Sequence, residues 1–261
     1  MSPDRLRSIR RGALSLLALA VLWEVVARTG VFPRALLPTL PTIARTLFAT
    51  LADGTMERHA LYTLYRVLSG LALAVALGLA LGILMARFRR VERFFMPLVS
   101  VLMPIPSLAW VPLFILWFGL GNITTILVVF YAATFPMLLN VYTGVRSVNP
   151  IWLRAAGAMG ASGRALFWKV IVPGASPFVI TGVRQAFLRS WIAVVGAEMI
   201  AASDWGLGWV IFDAKEFLNT DVMLASLAMI GAIGLAFERL VFGSLERATV
   251  VRWGMMRAAK G

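Results

Sequence analysis

Long apolar runs separated by short arginine clusters dominate the pattern of this chain. The first run covers 12–32, interrupted by Glu24 and Arg28, and follows an arm carrying Arg5, Arg7, Arg10 and Arg11. Further runs cover 68–86, 95–118, 123–142, 178–200 and 222–241. A helix crosses a hydrocarbon core of about 30 Å in roughly 20 residues, so each run predicts one transmembrane helix. The expectation is an all-α polytopic membrane protein, six transmembrane helices in a single domain over 1–261. A cleaved signal peptide is the other reading of the first run. No convincing small-x-small cleavage site precedes Trp23 and Glu24, which favours a retained span.

Polar and breaking residues differentiate these runs. Ile43, Leu47 and Leu51 recur at every fourth position after Pro41, and Asp53–Gly54 is a stop signal. This predicts an amphipathic helix, lying on the outer surface or packed against the bundle. Gly78 and Gly82 give the second span a small-xxx-small face suited to close helix contact. The third carries Pro97, Pro104, Pro106 and Pro112. Prolines break the helical ladder, and broken backbone at membrane depth persists only where protein or a water-filled cavity satisfies it. The stretch from Met103 through Pro104, Pro106 and Trp110 is therefore either a pathway segment or a structural kink.

The fifth span is the most polar. At about 100° per residue, Arg184, Trp191 and Glu198 share one stripe, and Arg189 lies about 140° from Arg184. Arg184 is near the inner end, where a long side chain can snorkel to water. Arg189 is near mid-span, where an ionised group costs about 2.5–3.5 kcal/mol on insertion scales and marks a functional site by default. Two readings compete: Arg189 faces a pathway or dimer interior, or it pairs with Glu24, Glu198 or Glu238. The stretch 201–221 is read as an outer loop.

The segment 149–173 is the most polar interruption. Asn149 is a natural N-cap and Pro150 a natural first helical residue. Gly160 and Gly163 offer a stop, a second short helix opens at Leu166, and Pro173 is expected to close the unit. Small residues at Ala155, Ala156 and Gly160 permit close approach of a partner.

Composition agrees with the pattern: 60% of the 261 residues are hydrophobic and 14% charged, against about 45–50% and about 25% in soluble domains. Net charge is +13, but the arginines lie between apolar runs rather than on one patch, which argues for topology over nucleic acid. With the N-terminus inside, four segments become cytoplasmic: the N-terminal arm, 87–93, 146–173 and the tail with Arg247, Arg252, Arg257 and Lys260. Each holds four Lys/Arg, which satisfies the positive-inside rule with both termini cytoplasmic. The chain has no cysteine and one histidine, His59, so thiolate chemistry, a His/Cys metal site and a Ser–His triad are excluded or starved. Lys169, Lys215 and Lys260 are the only lysines and none follows a glycine, so there is no P-loop and no ATPase activity of that type.

The loop resembles the cytoplasmic coupling loop of ABC importer permeases. Ala155, Ala156, Gly160, Val170, Val172 and Pro173 stand at the motif positions, while Arg154 occupies the usual glutamate position. Other stretches resemble the nitrate/sulfonate/taurine group of these permeases: Tyr-Arg-Val-Leu-Ser-Gly at 65–70, Pro-Ile-Pro at 104–106, Trp-Phe-Gly-Leu-Gly at 117–121, Gly-Ala-Glu-Met-Ile at 196–200, Gly-Leu-Gly at 206–208 and Glu-Phe-Leu-Asn-Thr-Asp at 216–221. The resemblance implies the type I ABC importer permease fold in a bacterial inner membrane. It implies a homodimer of permeases, two ATPase subunits that bind ATP-Mg, and a periplasmic or lipid-anchored substrate-binding protein. No cofactor is expected on this chain. Arg154, Ala155, Ala156, Gly160 and Pro173 would couple to the ATPase. Pro104, Pro106, Trp110, Arg184, Arg189, Trp191 and Glu198 are the candidate pathway residues. The implied substrate is a small anion, taurine or another aliphatic sulfonate, or nitrate. The alternative is an ion-coupled secondary transporter, which would leave the 149–173 loop unexplained and for which no inverted repeat is visible.

Overall fold

The computed structural model describes residues 3–202 and 204–246, and the side chains of 3–9, 11–13 and 246 lie outside that description. The expected tail charges Arg247, Arg252, Arg257 and Lys260, and the arm's Arg5, Arg7 and Arg11 side chains, fall outside it as well.

The described chain is helical. It runs α1 (Pro3–Thr29), α2 (Leu40–Ala52), α3 (Thr55–Arg87), α4 (Arg89–Leu102), a 3₁₀ turn (Ser107–Trp110), α5 (Val111–Phe118) and α6 (Asn122–Arg146). Then follow α7 (Pro150–Ala158), α8 (Gly163–Leu166), a π-helical turn (Phe167–Ile171), α9 (Val172–Ala201), α10 (Leu207–Glu216), α11 (Thr220–Ala236), a second π turn (Phe237–Phe242) and α12 (Gly243–Glu246).

Among the described residues four helices are long and apolar enough to cross a membrane: Thr55–Arg87, Asn122–Arg146, Gly163–Ala201 and Thr220–Leu245. The bent pair Arg89–Leu102 plus Ser107–Phe118 makes up to five. The expected first span falls on α1, outside that count, so the architecture is polytopic and all-helical without the figure of six being reached.

α6 is the centre, packed between α3 and α9. Glycines make the approach close. A Cβ built on Gly78 would lie 2.7 Å from Met137 Cγ, and one on Gly82 would lie 2.8 Å from Val141 Cβ and 2.9 Å from the Leu138 carbonyl oxygen. The small-xxx-small face read from Gly78 and Gly82 is thus the α3–α6 contact. Ala74, Ala133, Met137, Val141 and Ala186 form the buried cluster where the three helices meet.

Several boundaries differ from the sequence expectation. The helix that carries the second run begins at Thr55, ahead of the apolar stretch from residue 68, because Gly54 at φ 77° starts a helix whose polar residues His59, Thr63 and Arg66 are buried and bonded. Asp53 adds local support: its carboxylate accepts from the Thr55 hydroxyl and N–H, which holds its pKa below the usual carboxylate value. The third run is not one rod, since α4 and the segment ending in α5 meet at 88°. Half of the expected outer loop is α10, which buries Leu207, Val210, Ile211 and Ala214. Pro173 does not close the loop. The π turn at Phe167–Ile171 leads into α9, Pro173 sits in its first turn, and the helix runs unbroken from Gly163 to Ala201. A proline inside a continuous helix leaves a carbonyl of the preceding turn without its donor, and the π turn at Phe167–Ile171 falls at that break.

The amphipathic helix expected after Pro41 is α2, with Ile43, Leu47 and Leu51 against the cluster of Met56, Ala60, Leu207 and Ala225. It packs on the bundle, which decides between the two placements read from sequence. The close α3–α6 contact yields a comparison. Gly82→Ala should lower the melting temperature of the detergent-solubilised protein, with overpacking of about 1–3 kcal/mol. Gly231→Ala, where an added Cβ meets nothing within 4 Å, should leave it unchanged. Equal effects would show that the α3–α6 approach is not tight.

Candidate functional site: a buried ion pair, a polar cavity and an exposed helix

α3, α6, α9 and α10 converge at one end of the bundle on a buried ion pair. Arg66 Nη1 lies 2.8 Å from Glu198 Oε1, with the two side chains 2% and 0% exposed. The guanidinium has two further partners: Nη1 also donates to the Trp205 carbonyl at 2.5 Å, and Nε donates to Asn122 Oδ1 at 2.8 Å. Glu198 Oε2 accepts from the Thr63 hydroxyl at 2.9 Å and the Gly208 N–H at 3.0 Å. His59 Nδ1 accepts the Gly206 N–H, and the Thr63 oxygen accepts the Leu207 N–H. The first backbone donors of α10 are therefore consumed by side chains of α3 and α9. Gly206 has φ +144°, and a Cβ there would lie 2.5 Å from Glu198 Cδ, so a side chain has no room.

A cavity of about 760 Å³ opens where the broken third span faces α6 and α9. Its walls include Met103, Pro104, Ile105, Pro106, Ser107 and Leu108 from the break, Tyr131, Phe135 and Asn140 from α6, and Gln185, Leu188, Arg189 and Ile192 from α9. Pro106 has no N–H, so the Leu102 carbonyl lacks its α-helical partner and instead accepts from Ile105 N–H at 3.0 Å and the Tyr131 hydroxyl at 2.5 Å. Asn140 Nδ2 donates to the Pro136 carbonyl at 2.8 Å and to Gln185 Oε1 at 2.9 Å. Arg189, exposed and one turn beyond Gln185, makes no hydrogen bond or ion pair among the described residues. It lies 12 residues from Ala201, about 18 Å along the helix and so near mid-membrane.

The competing pairs for Arg189 are taken. Glu24 bonds Arg28 Nε at 2.7 Å, Glu198 holds Arg66, and Glu238 bonds Arg184. Of the residues expected together, Pro104, Pro106 and Arg189 do line the cavity. Trp110, Arg184, Trp191 and Glu198 do not. Arg184, Trp191 and Glu198 share a stripe as read, but that stripe faces the bundle. Trp191 stacks on Phe187 with centroids 5.9 Å apart, in a core shared with Phe237 and Phe242. Trp110 packs against Phe114 and Tyr131. The cavity side of α9 is the stripe of Gln185, Leu188, Arg189 and Ile192. Asn140 and Gln185 were missed as site residues. The available signal was two amides within apolar spans, Gln185 one turn from Arg189.

The third feature is α7. Asn149 Oδ1 accepts the Ile151 N–H at 2.9 Å and Pro150 occupies the first turn, as the sequence predicts. Arg154, Ala155 and Gly160 are exposed and Ala156 is partly so. Ile151, Trp152 and Met159 are 60%, 49% and 88% exposed, and Gly157 and Gly160 have open space where a Cβ would stand. Gly160 has φ 83° and ends the helix in the left-handed region. Pro173 stands in α9 rather than on α7, with its neighbour Gly174 beside Trp152: a Cβ built there would lie 3.8 Å from Trp152 Cζ3.

Residues 78–247 match the family model described as binding-protein-dependent transport system inner membrane component. The chain belongs to that family.

The relatives of this permease agree. A putative ABC transporter permease of Methanocaldococcus jannaschii is 39% identical over 87% of this chain and 86% of its own. The taurine transport system permease of Escherichia coli is 35% identical, over 88% and 86%. A putative aliphatic sulfonates transport permease of Bacillus subtilis is 32% identical, over 93% and 87%. Among solved structures, the inward-facing MetNI methionine ABC transporter superposes with TM-score 0.66 at 18% identity, covering 74% of this chain and 95% of that one. The fold is that of a type I ABC importer permease. The permease is a membrane transport subunit rather than an enzyme, ATP hydrolysis belongs to a separate subunit, and the secondary-transporter alternative is not favoured.

The ion pair generates a stability prediction. Glu198→Gln leaves a buried guanidinium without counter-charge and should cost about 3–5 kcal/mol, read as loss of folded protein in a detergent melt. Arg66→Met combined with Glu198→Met should recover most of that loss. A double variant as unstable as the single would show that the charges themselves are required.

Proposed function

We propose that this permease forms the translocation pathway of an ATP-driven importer for a small anion. The observation that carries the reading is Arg189: a mid-membrane cation with no hydrogen bond or ion pair among the described residues, on the wall of a cavity built around a broken span. A guanidinium in low dielectric attracts an anion strongly and offers paired donors to an oxyanion. The Asn140–Gln185 amide pair beside it supplies neutral hydrogen-bonding groups. Taurine and aliphatic sulfonates are the first substrates to test, because two of the relatives carry those names. Nitrate belongs in the same panel on grounds of charge.

In this reading two copies of the chain pair across the pathway, with both termini cytoplasmic as the Lys/Arg distribution argues. Two ATPase subunits bind ATP-Mg on the cytoplasmic side, and a binding protein delivers substrate to the outer face. The 149–173 segment, with α7 at its centre, docks on the ATPase through Ala155, Ala156, Gly160 and the exposed Ile151, Trp152 and Met159. Arg154 gives that face a positive charge. ATP-driven closure of the ATPase pair moves α7, and the bundle alternates the access of the cavity.

Two experiments test it. Arg189→Ala should lower uptake of the transported anion at least tenfold in reconstituted vesicles while leaving the ATPase complex intact; unchanged uptake would remove Arg189 from the pathway. Gly160→Arg should abolish co-purification with the cognate ATPase subunit, and a complex that survives would place the docking surface elsewhere.

A further inference from the structure

A second polar pocket, of about 350 Å³, lies where α3 ends and α4 begins, lined by Ala86, Arg87, Arg89, Glu92 and Arg146. It shares no residue with the Arg189 cavity. We propose that it binds the phosphate of an acidic phospholipid headgroup.

The charges around it do not balance. Three guanidinium groups face one carboxylate, and that carboxylate is engaged. Glu92 Oε1 accepts from the Tyr142 hydroxyl at 2.5 Å and from Arg146 Nη1 at 2.6 Å. Arg146 Nη1 also donates to the Tyr142 oxygen at 2.6 Å. Arg87 and Arg89 make no hydrogen bond or ion pair among the described residues, and the Arg87 guanidinium rests 5.8 Å from the Phe88 ring centroid. Two uncommitted guanidinium forks therefore flank the pocket beside a third already held in place. Such forks match phosphate oxygens bidentately.

The surroundings select a lipid over a free ion. α3 is a membrane-spanning helix that ends at Arg87, so the pocket stands at the edge of the hydrocarbon. α4 carries Phe94, Leu98 and Val101 exposed at 66%, 47% and 68%, directly after the arginines, with Phe88 at 48% before them. Cationic heads beside an exposed apolar strip are the arrangement of an interfacial helix, whose apolar side meets acyl chains while its cations meet headgroups. A soluble phosphate needs only the arginines; a phospholipid uses both features. Position gives the site a consequence. Arg146 is the last residue of α6, three before the Asn149 cap of α7. A bound headgroup would fasten the α3–α4 elbow to the end of α6, at the base of the exposed helix.

The test uses the full-length chain in detergent, with lipid retention read by native mass spectrometry. Phosphatidylglycerol should bind in preference to phosphatidylcholine. Near a membrane surface each arginine contributes about fivefold to acidic-lipid affinity, so Arg87→Gln with Arg89→Gln should weaken phosphatidylglycerol binding about 30-fold. Arg34→Gln with Arg45→Gln removes the same charge elsewhere and should leave binding nearly unchanged. Equal weakening in both double variants, or no preference for phosphatidylglycerol, would overturn the proposal. So would inorganic phosphate that binds as tightly as the lipid and displaces it, since the site would then be one for a free ion.

Discussion

The buried Arg66–Glu198 pair is the interaction on which the arrangement of this permease depends. It fastens α3 to α9, with Asn122 of α6 and the opening turn of α10 bonded into the same network. Burying two charges is unfavourable unless additional hydrogen bonds compensate, and here backbone groups of Trp205 and Gly208 supply two of them. The pair lets α3 extend outward past Arg66, so that a helix with polar residues at His59, Thr63 and Arg66 remains continuous. It also removes Glu198 from the carboxylates open to Arg189. With Glu238 engaged by Arg184, the mid-membrane cation is left facing the cavity.

The cavity arises from a constraint of membrane-embedded backbone. Pro104 and Pro106 break the third span, and the freed groups must find partners within protein or water. The Tyr131 hydroxyl takes the Leu102 carbonyl, and the sharp turn leaves space that no side chain fills. Pro136 of α6 stands on the facing wall, where the Asn140 side chain adds a bond to its carbonyl. The opposite side of α6 is closed by Gly78 and Gly82 of α3, which admit no side chain. One helix thus has a tightly packed face against α3 and a cavity-lining face opposite it.

Much of this was legible in the sequence, because the signals were periodic or stereochemical. Apolar runs gave the spans, Gly78 and Gly82 gave the close contact, and Asn149 with Pro150 gave the start of α7. The failures share one cause: tertiary partners override local pattern. Nothing local shows that the helix of the second run starts as early as Thr55, since its polar residues at 59, 63 and 66 are satisfied by groups more than a hundred residues away. The helical wheel placed Arg184, Trp191 and Glu198 on one stripe correctly, but a wheel does not say which neighbour that stripe meets. Pro173 looked like a terminator, and only the preceding π turn shows it at the start of a longer helix. Gln185 and Asn140 carry no motif; their role follows from facing one another across the α6–α9 contact.

The central claim is that the cavity beside Arg189 is the pathway and changes the side from which it is reached. The natural absence of cysteine makes a direct measurement simple. A single cysteine at Gln185 in the assembled transporter would be labelled by a membrane-impermeant thiol reagent added from either side, with and without ATP held unhydrolysed. The account predicts labelling from one side without nucleotide and from the other with it. Labelling that ignores nucleotide, or a thiol that neither side reaches, would contradict it.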